Sequence, residues 1–289
     1  MSPPAAADLG PCVYCPRLCR NVCPVAVGTG RESASPTAMA TQVWLYLEGR
    51  TELKLALAAA ALCVECGACE AICEVQQPLA HLLGDFRRAL SPTGPQPLAQ
   101  VEGEGALVAV EVDERRWAEA LAARLGKPVA RLRTEDHLGH DATGQPAWPA
   151  HLARLKAALR GRTAVVSEHR SLAVLTAAGV EAAHLLDQLG WSGAGVVHQP
   201  CAGPRLPGAP PALALACCGS RAALPSAHPD LAVQLAEDCG RRLYDERPSP
   251  EGPICSPDST CARALREAGW TVEDPLSALL GGAEPPAPP

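Results

Sequence analysis

Apolar residues recur at helical spacing through the first ninety residues, and after about residue 105 they gather into short runs separated by amphipathic stretches. The first pattern predicts helices over 36–48 and 51–62, with Ser35 and Thr51 as their caps and Trp44 and Tyr46 as core or interface residues. The second predicts strands over 106–112, 128–132, 163–166, 195–197 and 212–216. Helices over 114–125, 149–160, 172–178 and 230–244 fall between them, and this alternation implies a parallel α/β arrangement. Where the two patterns meet, Ser-Pro-Thr-Gly-Pro-Gln-Pro and Glu-Gly-Glu-Gly interrupt helix and ladder alike, which predicts a linker over 93–105.

The α/β half repeats itself. Gly105-Ala-Leu-Val-Ala-Val110 precedes Gly193-Ala-Gly-Val-Val-His198 by 88 residues, and Val165-Val-Ser167 precedes Pro253-Ile-Cys255 by the same interval. Each copy closes in a Leu-rich helical segment, His184 to Leu189 and Asp274 to Leu280. The fold expected is therefore α+β and multidomain, with an all-helical domain over 1–92 followed by α/β repeats over 106–192 and 193–280. A Pro-rich tail over 281–289 is expected to be disordered.

Composition removes several classes of function. With 47% hydrophobic and 19% charged residues the chain is too apolar for disorder, yet no apolar run reaches membrane-spanning length, so a soluble globular protein is expected. A net charge of −6 and nine aromatic residues leave neither the basic surface nor the stacking platforms that nucleic acid requires. The N-terminal stretch lacks the basic and apolar regions of a secretory signal, which predicts a reducing cytoplasmic setting and membrane association only through a partner. Disulfides then do not account for 14 cysteines.

Eight of them form two tight runs, Cys12-x2-Cys15-x3-Cys19-x3-Cys23-Pro24 and Cys63-x2-Cys66-x2-Cys69-x3-Cys73. Four thiolates so close must converge on metal, and soft sulfur selects zinc or iron-sulfur clusters. Structural zinc sites generally use two separated ligand pairs, whereas three close cysteines followed by a fourth is the ferredoxin arrangement, in which the fourth serves the other cluster. Two 4Fe-4S clusters are predicted: one on Cys12, Cys15, Cys19 and Cys73, the other on Cys63, Cys66, Cys69 and Cys23. The x3 spacing before Cys19 and Glu74 in place of a proline depart from the usual loop shape. The helices between the runs resemble the α-helical ferredoxin domain of fumarate reductase and heterodisulfide reductase iron-sulfur subunits.

A further set of cysteines falls at strand ends of the second repeat: Cys201 after His198-Gln-Pro, Cys217 and Cys218 before Gly219, then Cys255 and Cys261. Strand carboxyl ends are where open α/β sheets place their sites. This series resembles the CCG (cysteine-rich) domain of heterodisulfide reductases and of the iron-sulfur subunits of glycolate oxidase and anaerobic glycerol-3-phosphate dehydrogenase. The resemblance implies a third iron-sulfur cluster on Cys201, Cys217, Cys218, Cys255 and Cys261, with zinc and metal-free thiols as the alternatives. It also implies electron transfer between a redox partner, a flavoprotein dehydrogenase, and a quinone or other carrier. Disulfide reduction at the CCG cluster and a zinc-stabilised scaffold are the competing functions.

The match has departures. Only fifteen residues separate Cys201 from Cys217, about half of what the family has, and Asp258 stands where its last cysteine would, leaving Asp258 or Cys261 as closing ligand. In the first repeat the corresponding positions are Asp113 and Ser167, so that copy is expected to be metal-free scaffold. Cys239 reads as a small buried hydrophobe, and Gly28-x-Gly30-x-x-Ser33 as a loop rather than a nucleotide fingerprint. His137, His140 and His169 read as solvent-facing or internally satisfied.

Overall fold

The computed structural model describes residues 3–15, 18–90, 100–110, 114–133, 148–191, 196–198, 217–220, 224–245 and 252–279. The chain forms two compact units, Met1–Pro92 with Gly208–Glu251 and Arg263–Thr271, and Thr93–Pro207 with Gly252–Ala262 and Val272–Pro289. Packing therefore departs from the linear order of the sequence reading, since part of the second repeat belongs with the N-terminal helices.

The first unit is helical as described. Its helices are α1 (Ala6–Val13), α2 (Pro24–Thr29), α3 (Pro36–Leu47), α4 (Leu53–Ala61), α5 (Ala68–Ala71) and α6 (Leu79–Leu90), joined by Leu224–Ala227 and Pro229–Asp245. Helix α3 starts where Ser35 Oγ accepts the Ala38 N–H at 3.2 Å and Pro36 supplies a preset first turn. For α4 the cap differs from expectation: Glu52 rather than Thr51 is the N-cap residue, without a side-chain hydrogen bond. Met39, Ala40 and Val43 of α3, Ala56 and Ala60 of α4, and Leu79, Leu83 and Phe86 of α6 form the buried core. Tyr46 packs edge-on against Phe86 with ring centres 5.7 Å apart, and Trp44 does the same against Tyr14 at 6.3 Å.

Gly28 and Gly30, read as loop, instead end a helix: Gly28 lies within α2 and Gly30 caps it at φ +62°. A side chain at Gly28 would stand 2.8 Å from Leu235, so the missing Cβ lets the Pro229–Asp245 helix close on α2. Cys239 is completely buried in that long helix, beside Leu235, Ala236 and Leu243.

The second unit contains both sheets. Strands β1 (Gln100–Glu102), β2 (Leu107–Ala109), β3 (Val129–Arg133), β4 (Thr163–Val166) and β5 (Ala182–His184) lie in the order β1-β3-β2-β4-β5. All pairs are parallel except β1 with β3. Strand β1 lies inside the stretch read as linker. Its Val101 faces Leu132, and Arg131 grips the Glu102 carboxylate at 2.8 Å and 3.1 Å, enough to recruit three residues beside the Pro-rich break as an edge strand.

Both faces of the larger sheet are covered. Val108, Ala130, Leu132, Ala164 and Val166 pack against Leu155, Leu159 and Leu175, while Ala109 and Val165 pack against Trp117, Leu121 and Leu185. This alternation is the two-residue period of a strand buried on both sides. Strands β6 (Val196–Val197), β7 (Ile254–Cys255) and β8 (Val272–Glu273) form the smaller sheet, all parallel in that order. They repeat the order and sense of β2, β4 and β5 about 90 residues later. The strand read at 212–216, His137, His140, Asp113 and the 281–289 tail lie outside the described residues.

His184 ends β5 with its ring against that of His169, centres 4.0 Å apart and planes tilted by 34°, and its Nδ1 accepts the Leu186 N–H at 3.1 Å. Burial, then the His169 ring, push its pKa down to about 3, against weaker support for the cation from Asp258 and the Ser167 backbone. An unfolded histidine titrates near 6.5, so between the two values only the unfolded chain holds the proton. Stability is then full above pH 6.5 and falls as pH drops towards 3, by about 1.4 kcal/mol per pH unit from this residue. Urea unfolding followed from pH 7 to pH 5 is expected to lose about 2 kcal/mol in wild type and markedly less in His184→Gln. An equal loss in both would contradict the buried neutral ring.

Candidate metal centre

The first run is spread over three short elements. Cys12 lies in the last turn of α1, Cys15 just beyond it, Cys19 in the 3-10 turn Leu18–Asn21, and Cys23 at the N-cap of α2. The second run follows α4: Cys63 and Cys66 occupy the loop, Cys69 lies in α5, and Cys73 follows its C-cap Ile72. Left-handed Gly67, at φ +73°, turns the chain between Cys66 and Cys69.

The thiols sort across the two runs. Burial, then Cys19, Cys73 and Cys15, push Cys12 up to about 12. Cys19 is raised by burial and feels Cys15 and Cys73. Cys69 is raised by burial and by Cys63, Cys66 and Cys23 among its neighbours. Cys12, Cys15, Cys19 and Cys73 thus share one neighbourhood and Cys23, Cys63, Cys66 and Cys69 another, with Cys23 acted on by Cys66 more strongly than by Cys19. The second four also line one cavity, walled by Val25, Met39, Leu79 and Leu83.

These surroundings fit a sulfur-ligated metal group. Burial pushes Cys23 up to about 11, although the α2 N–H groups of Ala26 and Val25 hydrogen-bond its sulfur. Cys63 rises to about 12 through burial despite Arg87 beside it. Protonated thiols crowded in an apolar enclosure are stable only as neutral groups, and metal binding displaces those protons. The Glu65 N–H donates to Cys63 Sγ at 3.4 Å and the Gln77 N–H to Cys73 Sγ at 3.3 Å, the donor pattern that supports ligating sulfurs.

Arg87 holds the Cys63 loop in place. Its guanidinium donates to the carbonyls of Ala60 and Cys63, the latter at 3.0 Å, and to the buried Glu65 carboxylate, which Arg88 also approaches at 3.4 Å. Glu65 itself adopts φ +52°, left-handed without being glycine. Neither residue is singled out by cysteine spacing. The signal that finds Arg87 is its register: it continues the Leu79, Leu83 stripe of α6, a cation in an apolar row.

The cysteines assigned to a third cluster divide between the two units. In the helical unit, Cys217 is buried in the same core as Cys23 and hydrogen-bonds Cys66, which this contact holds down at about 7 against burial; Cys218 Sγ lies 3.1 Å from Ser220 Oγ. In the α/β unit, Cys255 Sγ points to the Glu273 carboxylate at 3.7 Å, and buried Cys261 lies within 4.8 Å of a ring nitrogen of His198. His198 Nδ1 meets Ser256 Oγ at 3.2 Å. Asp258 caps the helix after β7 by accepting the Cys261 N–H at 3.1 Å. Cys201 lies outside the described residues.

Among the described residues no helix is long and apolar enough to cross a membrane. Neither the curated proteins nor the solved structures give a match to the chain. Residues 8–77, which run from just before Cys12 to just after Cys73, match the 4Fe-4S dicluster domain family, and on that segment the chain is an iron-sulfur protein.

Proposed function

We propose that this chain is an electron-transfer protein whose helical unit carries two 4Fe-4S clusters, one on Cys12, Cys15, Cys19 and Cys73 and one on Cys63, Cys66, Cys69 and Cys23. When bound, such clusters each store and release one electron. The observation that carries the reading is the exchange of the fourth cysteine, with Cys23 lining the cavity of Cys63, Cys66 and Cys69.

The surroundings of the two sets suggest different tasks. Tyr14, Leu18, Ile72 and Val75 are large apolar residues left exposed, and each lies one or two positions from Cys15, Cys19 or Cys73. Apolar surface beside a redox centre suits a protein partner, here a flavoprotein dehydrogenase meeting the first cluster. The α/β unit is taken as a duplicated scaffold like the cysteine-rich domains of heterodisulfide reductases and of the glycolate oxidase iron-sulfur subunit, a reading supported by the repeated parallel order of β2-β4-β5 and β6-β7-β8.

Anaerobically purified protein is expected to hold about eight irons and eight sulfides per chain, to take up about two electrons from dithionite in separate steps, and to return them to a water-soluble quinone. Zinc in place of iron, or no metal, would overturn the reading. About twelve irons would add a third cluster at the C-terminal cysteines.

A further inference from the structure

The Cys217-Cys218-Gly219 turn is built into the helical unit by packing. Gly219 adopts φ +69°, and a Cβ there would stand 3.0 Å from both the Ala232 carbonyl oxygen and the Leu235 side chain. Only glycine therefore lets the turn lie this close to the Pro229–Asp245 helix. That helix is fixed on α2, where Gln234 Nε2 donates to the Gly28 carbonyl at 2.9 Å and Leu235 fills the space Gly28 leaves. On the other side the Leu224–Ala227 turn packs against α4. The element that begins at Cys23 and the one that leads into Cys63 thus both hold Cys217 in position.

Cys217 is 5% exposed, lies in the core that includes Cys23 with Cys63, Cys66 and Cys69 packed against it, and hydrogen-bonds Cys66. A sulfur that ligates metal is a thiolate and accepts only, so in the loaded protein the donor must be the Cys217 S–H. Resting on the two-cluster reading, we infer that Cys217 is not a ligand but a positioning residue for the second cluster, a fifth thiol that donates a hydrogen bond to the Cys66 sulfur. Reduction adds negative charge to the cluster and its sulfurs, so a donor there stabilises the reduced state and raises that cluster's potential.

The test uses full-length protein purified anaerobically, with iron analysis and a redox titration followed by electron paramagnetic resonance. Cys217→Ala is expected to keep the wild-type iron content, to shift one of the two midpoint potentials negative and to leave the other in place. Cys217→Ser, which restores an O–H donor, is expected to recover most of the shift. In a Cys23→Ala background, where the second cluster is lost, Cys217→Ala is expected to have no effect on the remaining potential. Iron loss in Cys217→Ala would make Cys217 a ligand and overturn the inference. So would unmoved potentials, or a serine variant shifted as far as the alanine one. Failure of the two-cluster reading itself would show already in wild type, as a content below about eight irons.

Discussion

Replacing Cys23 with alanine is expected to remove about four of eight irons, and adding Cys69→Ala to that variant to remove almost none beyond them. The two residues lie on opposite runs, 46 positions apart, yet they share a neighbourhood and a cavity. Mutations that disable one unit are strongly non-additive, and mutations in independent units add. Cys23→Ala with Cys12→Ala is therefore the contrasting pair. Those cysteines belong to one run but to different neighbourhoods, and the double variant is expected to lose nearly all its iron. If each run bound its own cluster, the pattern would reverse: Cys23 with Cys12 would cost about four irons and Cys23 with Cys69 about eight. Iron and sulfide analysis of these single and double variants decides between the two arrangements.

How much of this was legible in the sequence depends on how local the determining physics is. The helix over α3 is set by Ser35 and Pro36 within its own first turn, and its bounds follow from the sequence almost to the residue. The strands β2, β3 and β4 announce themselves as buried apolar runs because helices cover both faces. Cys23 reaches the cavity of Cys63, Cys66 and Cys69 from the N-cap of α2, a helix that Pro24 opens locally. Other features depend on distant partners. Strand β1 is three residues beside a Pro-rich break and exists because Leu132 and Arg131 receive it. The association of Cys217 with Cys66 depends on contacts between Gly219 and the Pro229–Asp245 helix, and that helix in turn depends on Gly28. None of these pairings leaves a periodic trace, and the Cys-Cys-Gly run read locally points only to metal.

The second large effect concerns a residue without a metal-binding atom. Arg87 and Glu65 are 8% and 5% exposed, and the guanidinium also satisfies the carbonyls of Ala60 and Cys63. Removing one partner of a buried pair leaves the other charge desolvated and alone, which typically costs about 3–5 kcal/mol. Arg87→Met is expected to cost that much, less whatever support Arg88 lends Glu65 from 3.4 Å. Arg87→Met with Glu65→Gln should recover a substantial part, because the stranded charge is then gone. Urea unfolding of the loaded protein, followed by visible absorbance and circular dichroism together, measures both steps. The same substitution removes the cation nearest Cys63, so the cluster that this thiol holds is expected to become harder to reduce, its potential moving negative. Arg87→Lys keeps the charge but not the fork that reaches two carbonyls and a carboxylate, and should preserve the potential better than the stability. If Arg87→Met left both quantities at their wild-type values, the cation would be a bystander in the apolar row of α6, and the position of the Cys63 loop would have to come from the thiols alone.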